Sequence, residues 1–205
     1  MGEECYAGLD LAATRDINAL TLFFPESGRV IPYFWVPKSA LKDRARQKLT
    51  RLDAWVQANL IKVTDGNAAD YDVIEHDVLE ICDKYRIRTL GIDRWNSLQI
   101  SQHFMDEGLT VLGIGQGMQG MSAPMKAFER MVVNHNIHHN GNPVLRWMFS
   151  NVAVKLDPAG NIKPDKSKVA DKIDGIVALI IALAAWMEDD EGPNPYEGQG
   201  IDFLS

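Results

Sequence analysis

Three aspartates in this sequence are spaced for joint work. Asp10 closes the apolar run Tyr6-Ala7-Gly8-Leu9-Asp10, Asp93 closes Thr89-Leu90-Gly91-Ile92-Asp93, and Asp174 stands near the head of an apolar stretch, Ile173 to Leu179. A carboxylate among such neighbours is costly to bury unless something pairs with it. Three that converge would be compensated by hard divalent cations, Mg²⁺ or Mn²⁺ first among them. One or two ions held this way point to metal-assisted phosphodiester chemistry. Singly, each acid has a plainer role: Asp93 as the cap of a following helix, Asp174 as a first-turn acid favoured by the helix dipole. Together they do not reduce to those roles. Asp10 precedes no obvious helix, and Asp174 shares the apolar side of its helix with Val177, Leu179 and Ile181.

Bringing the acids together requires particular elements. Residues 5–12, 17–24 and 29–36 read as three strands joined by short turns, an antiparallel meander. Residues 38–49 read as a helix or arm, 53–60 as a short helix and 61–64 as a brief strand. The segment 70–85 is an amphipathic helix with Val73, Ile74, Val78, Ile81, Cys82 and Tyr85 on one face. Residues 87–93 form a near-continuously apolar strand, 96–106 a helix and 109–114 another strand. The glycine-rich run 113–120 reads as a loop, with Ser122 capping a helix to about residue 136. Asn142 followed by Pro143 starts another helix. Residues 151–156 read as a last strand, 157–161 as a turn, 163–168 as a basic loop and 169–187 as the last helix. The expected fold class is α/β: a mixed sheet, meander plus parallel strands, with helices on both faces. The first strand and the strand ending at Asp93, if parallel neighbours, put Asp10 and Asp93 side by side.

The 205-residue chain is long enough for one domain with a real core, here 1–187, followed by an acidic, Gly- and Pro-containing tail, 188–205. No secretory signal is read at its start. The longest apolar run, Ile176 to Met187, falls short of the roughly 20 residues a membrane span needs, so no membrane partner is expected. Cys5 and Cys82 read as reduced core residues, and a cytoplasmic setting follows. The formal net charge of −7 argues against tight unaided nucleic-acid binding and implies that another module supplies much of the grip.

At these residues the sequence resembles the nuclease domain of phage terminase large subunits, metal nucleases of the ribonuclease-H-like fold. The resemblance rests on Gly8-Leu9-Asp10-Leu11-Ala12-Ala13-Thr14-Arg15-Asp16 with Ala19-Leu20, on Gly91-Ile92-Asp93-Arg94, and on Lys172-Ile173-Asp174-Gly175-Ile176-Val177-Ala178-Leu179. It also covers Pro143 to Asn151 and the basic loop that follows, and runs in order from residue 5 to about 187. It implies that Asp10, Asp93 and Asp174 hold one or two Mg²⁺ or Mn²⁺ ions and cut double-stranded concatemeric viral DNA during genome packaging, in the cytoplasm of the host cell. The implied partners are DNA, the terminase ATPase domain, the small terminase subunit and the portal. The sequence departs from whole large subunits in one respect: it has no Gly-x-x-x-x-Gly-Lys-Ser/Thr phosphate loop, and the run 113–120 lacks the Lys-Ser/Thr ending. It therefore reads as an excised nuclease domain or the product of a split gene.

Secondary candidates surround the three acids. Asp171, three residues before Asp174, is a candidate fourth ligand; a solvated first-turn acid is the alternative. Asp16 could border the site or simply form a turn. Lys163, Lys166, Lys168 and Lys172 are candidates for the phosphate backbone, against the alternative of a solvated loop. The densest basic run holds Lys38, Lys42, Arg44, Arg46, Lys48 and Arg51, with Asp43 its only acid: a DNA-binding arm or a solvated face. Asn96 and Ser97 could help to position an ion or a phosphate. The five histidines match no zinc spacing, and Trp147 and Trp186 read as core. Three other functions compete. A junction resolvase, ribonuclease H or recombinase shares the acid cluster and would prefer hybrids or junctions to plain duplex. A sugar-kinase or actin-like ATPase needs a second domain, for which 205 residues are too few. A catalytically dead packaging module is disfavoured by the three intact acids.

Overall fold

The computed structural model describes residues 2–12, 16–45, 50–94, 97–166 and 171–190, with the side chains of 42–45, 50 and 190 left out. β1 (Glu4–Asp10), β2 (Asn18–Phe24) and β3 (Arg29–Pro37) form the expected antiparallel meander. α1 (Lys38–Ala45) and α2 (Thr50–Gln57) lead to β4 (Lys62–Thr64), then α3 (Tyr71–Lys84), β5 (Arg86–Asp93), α4 (Leu98–Asp106) and β6 (Val111–Ile114). α5 (Met118–Val133), α6 (Pro143–Ser150), a hairpin of β7 (Val154–Leu156) and β8 (Ile162–Pro164), and α7 (Asp174–Asp190) complete the chain. The six-stranded sheet runs β4-β3-β2-β1-β5-β6, with β1 parallel to β5 and β5 parallel to β6.

Strand alternation sets the two faces. Cys5, Ala7 and Leu9 of β1, with Leu90 and Ile92 of β5, pack under α3 and α4. Gly8 and Gly91 point the other way, toward α7. α7 is apolar nearly all round and buried through most of its length, as a helix laid across a sheet's core must be. It lies so close that a Cβ at Gly8 would overlap the backbone of Ala178 and Ala182, and one at Gly91 would press on Ile181. Thr21 of β2, the register partner of Gly8, donates its hydroxyl to the carbonyl of Gly175 at 3.1 Å. The glycines in the two strands are therefore what let the head of α7 settle onto the sheet.

Several expectations are corrected by the structure. The glycine-rich loop is shorter than 113–120: α5 begins at Met118, capped by Gly117. Ser122 lies within that helix, where its hydroxyl accepts from Ile162 N at 3.2 Å and so ties the hairpin to α5. The segment 151–156 does not join the main sheet. Its strand pairs only with β8, because the turn at 157–161 folds it back on its own neighbour. That places Lys163 in a strand instead of a loop. α7 starts at Asp174 rather than 169, so Asp171 precedes the helix and the helical-spacing argument for it fails. α7 also continues to Asp190, past the expected boundary at 187, and Asp189 accepts from the Tyr6 hydroxyl at 2.6 Å. Residues 191–205 of the expected tail lie outside the described residues. Cys5 and Cys82 are unpaired thiols, and burial pushes Cys5 up to about 12 and Cys82 to about 11, which leaves them inert at neutral pH.

Candidate metal centre

Asp10 and Asp93 end neighbouring parallel strands, whose register brings Leu9 opposite Ile92 one residue earlier. Each lies two residues beyond a glycine that faces α7, so both carboxylates fall on the α7 side of the sheet. Asp174 opens that helix, and Gly175 is fixed from both sides, through its carbonyl to Thr21 and through its N–H to Met148 Sδ at 3.1 Å. The three acids are thus brought to one end of the fold by elements that pack closely at Gly8, Gly91 and Gly175.

Their electrostatics reflect that crowding. Asp10 is 4% exposed and Asp174 7%, while Asp93 is half-buried. Burial raises the pKa of Asp10; the charge of Lys166 opposes the rise and that of Asp93 adds to it. Burial, then the charge of Asp10, pushes Asp174 up to about 7. Gln116 Nε2 donates to Asp10 Oδ1 at 2.9 Å, and the Lys166 ammonium donates to Oδ2 at 3.0 Å. Burial depresses Lys166, but the charges of Asp10, Asp174 and Asp93 more than offset it and hold the ammonium charged. Among the described residues Asp174 Oδ2 is buried without a hydrogen-bond partner. No three His, Cys, Asp or Glu side chains among the described residues are arranged to hold an ion as they stand. Among the described residues Lys166 is a cation that all three acids feel.

The donor set suits a hard cation. It consists of carboxylate oxygens, one of them buried and unpaired, with no cysteine or histidine among them. Ser97, at the foot of α4, donates to the carbonyl of Asp93 and steadies that strand end. Asp16 and Lys172 form an ion pair beside the head of α7, and both charges are felt by Asp174. Next to Asp10, whose partners Gln116 and Lys166 help to line it, lies an open cleft of about 260 Å³ that also carries Lys155, Lys163 and Asp165. Lys163 Nζ donates to the carbonyl of Gln116 at 3.0 Å, closing the hairpin over the glycine loop.

The other candidates fall elsewhere. Asp171 is exposed ahead of α7. Lys42 and Arg44 lie on α1 with side chains outside the described residues; Arg46, Lys48, Asn96 and Lys168 lie outside them altogether. Trp186 packs on Phe23 and Trp147 on Trp55, both half-buried rather than fully core. The sequence reading missed Gln116 as a partner of Asp10, since nothing local to the loop shows that it folds over a strand end more than a hundred residues away. No helix among the described residues is long and apolar enough to cross a membrane.

Comparison with known proteins gives concordant matches. The family described as terminase large subunit, endonuclease domain, matches residues 1–191. The terminase large subunit of Enterobacteria phage HK97 is 33% identical over 185 residues, covering 88% of this chain and 37% of that protein. The crystal structure of the HK97 bacteriophage large terminase superposes with a TM-score of 0.83 at 32% identity, over 90% of this chain and 40% of that one. The large terminase nuclease from thermophilic phage G20c with bound magnesium shares the fold, with a TM-score of 0.60 at 9% identity over 88% of this chain and 80% of that one. The chain thus spans less than half the length of its HK97 relative.

Proposed function

Because the chain belongs to the endonuclease-domain family of terminase large subunits, we propose that it is a divalent-metal-dependent endonuclease that cuts concatemeric double-stranded viral DNA during genome packaging. The observation that carries this reading is the orphaned, buried Asp174 Oδ2 beside an Asp10 whose neutralising partner is a lysine. Such a pocket is electrostatically incomplete, and a dication completes it.

Asp10, Asp93 and Asp174 would hold one or two Mg²⁺ or Mn²⁺ ions. Magnesium bound to a nuclease of the same fold supports that choice. Such ions, when bound, activate a water and offset charge on the leaving oxygen. The chain's own residues supply the rest. Gln116 fixes the rotamer of Asp10. Lys166 neutralises Asp10 in the metal-free state and, once released from it, is free to meet a phosphate. Lys155 and Lys163, on the hairpin beside the acids, give the anionic backbone a favourable approach. Lys168, Lys42, Arg44 and Arg46 are further candidate DNA contacts. The setting we propose is the host cytoplasm, with the ATPase motor, small subunit and portal as partners that provide translocation.

The test is plasmid nicking and linearisation with added Mg²⁺ or Mn²⁺, with EDTA as control. Asp10→Asn, Asp93→Asn and Asp174→Asn, which preserve side-chain size, are each expected to abolish cleavage. Cutting that persists in all three variants would remove the site assignment.

A further inference from the structure

A second cleft, remote from the carboxylates, is built between α2 and α6. Arg51 and Trp55 of α2, and Pro143, Arg146, Trp147 and Ser150 of α6, surround an open space of about 460 Å³. The helical spacing explains the grouping: Arg51 with Trp55, Pro143 with Trp147, and Arg146 with Ser150 each stand one turn apart on one helical face. Asn142 caps α6 by accepting from Val144 N and Leu145 N, both at 3.0 Å, which fixes where that face begins. The two indole rings meet at 5.2 Å between centroids, tilted by 54°. Each is half-buried against the core and half open.

The polar lining is one-sided. Arg51 and Arg146 are exposed, and neither makes an ion pair or side-chain hydrogen bond among the described residues. The Ser150 hydroxyl is already spent on the carbonyl of Trp147 at 2.7 Å. Among the described residues no carboxylate lines the space. In a chain with a formal net charge of −7, two guanidinium groups with no ion pair among the described residues flank an aromatic pair here. Arg51 also ends the densest basic run of the sequence.

The cleft is joined to the carboxylates through α6 itself. Met148 and Asn151, next to Trp147 and Ser150, brace the segment that carries Asp174: Met148 Sδ accepts from Gly175 N, and Asn151 Nδ2 donates to the carbonyl of Lys172 at 3.2 Å.

We propose that the α2–α6 cleft grips the sugar–phosphate backbone of duplex DNA away from the scissile bond. The inference rests on the nuclease reading and adds a subsite to it. Guanidinium forks match phosphate oxygens in pairs, and here they need break no existing ion pair to do so. The half-open indole surfaces suit the apolar side of deoxyribose. Tryptophan and arginine also anchor protein–protein interfaces, but a lining that offers donors and no carboxylate favours a polyanion.

The experiment measures binding of the full chain, in EDTA, to a short labelled duplex and to the corresponding single strand by fluorescence anisotropy across a salt series. Arg51→Glu with Arg146→Glu is compared with the parent and with Arg51→Lys plus Arg146→Lys. Both positions are exposed, and unchanged circular dichroism and unfolding midpoint confirm that the fold is retained. The charge reversal is expected to weaken duplex binding about tenfold or more and to lower the salt slope by about two, while the lysine pair keeps the slope. Unchanged affinity and slope, the result for a protein-docking surface, would overturn the proposal. A loss confined to the single strand would overturn the duplex assignment. Wild-type protein that binds duplex but never cleaves plasmid with Mg²⁺ or Mn²⁺ counts against the nuclease reading and leaves the cleft standing.

Discussion

Asp10, Asp93 and Asp174 are carried by core elements, β1, the buried half of β5 and α7, whereas Lys155 and Lys163 ride on a two-stranded hairpin whose first strand is exposed throughout and Lys166 follows it by two residues. β1, β5 and α7 owe their positions to close packing of backbone on backbone at Gly8 and Gly91. The hairpin owes its position to local chemistry. Asp157 Oδ1 accepts from Ala159 N at 2.9 Å and Asn161 N at 2.8 Å, and Ser122 holds Ile162. The Asn161 side-chain amide, donating to Asp157 Oδ2 at 2.8 Å, and then the backbone bonds hold Asp157 below the usual carboxylate range. The difference has a functional sense. Groups that must keep a fixed mutual geometry sit where side chains cannot move without cost. Groups that must exchange one partner for another sit where little is lost by moving.

The largest effect is expected where the rigid region is closest. Gly8→Ala drives a methyl group into the backbone of Ala178 and Ala182, which cannot step aside as a side-chain tip can. Overpacking of this kind should destabilise the chain by about 3 kcal/mol, read by denaturant or thermal unfolding. Gly91→Ala, which meets the Ile181 side chain at 2.8 Å as well as its carbonyl, should cost less. A Gly8→Ala protein as stable as the parent would refute the idea that small residues set the depth of α7.

The sequence announced the rigid region far more clearly than the hairpin, for a physical reason. An apolar strand with a glycine two residues before a terminal acid encodes both the face and the end at which the acid stands, so Asp10 and Asp93 could be paired in advance. The depth of α7 was implicit in Gly8, Gly91, Ala178 and Ala182, but small residues reveal a close approach only once the partner is known. Alternation in 151–156 reads correctly as a strand and is silent on what that strand pairs with. Lys166 was legible as a cation near DNA chemistry, but its bond to Asp10 spans 156 positions and has no local signature. Ser122 looked like a cap because serine before a helical run usually is one, while glycine at 117 does the same work without a side chain.

Acidity tests the same rigid pocket more gently. Asp174 titrates near 7 in the folded chain, against about 3.9 when unfolded. The folded state therefore binds this proton more tightly than the unfolded state does. Its contribution to stability is fully present below pH ~4 and is lost as pH rises through about 7. Burial acts on Asp10 in the same direction. In EDTA the unfolding free energy should fall between pH ~4 and pH ~7, by an amount on the order of a few kcal/mol at most, and level off above that. Asp174→Asn should flatten most of that slope. Mg²⁺ needs the ionised carboxylate, so its affinity should rise over the same interval. A metal-free midpoint that climbs with pH, or a slope untouched by Asp174→Asn, would show that Asp174 is not held as the buried acid described.

The smallest effect is expected at the exchangeable cation, and it separates the two regions most directly. Lys166→Met removes the ammonium from Asp10 and leaves a buried carboxylate with Gln116 as its donor. Breaking a fully buried pair costs roughly 3–5 kcal/mol; with the lysine side chain 48% exposed, about 1–2 kcal/mol is the reasonable expectation here. The loss should appear only without metal. In saturating Mg²⁺ the ion takes over the charge that Lys166 supplied, so the variant's unfolding midpoint should return close to that of the parent, and its gain on adding Mg²⁺ should exceed the parent's. Isothermal titration should show Mg²⁺ binding at least as tightly to Lys166→Met, because no ammonium has to be displaced. If the ion instead binds the variant more weakly, Lys166 is part of the bound-metal arrangement rather than its stand-in, and the hairpin belongs functionally with the rigid carboxylates.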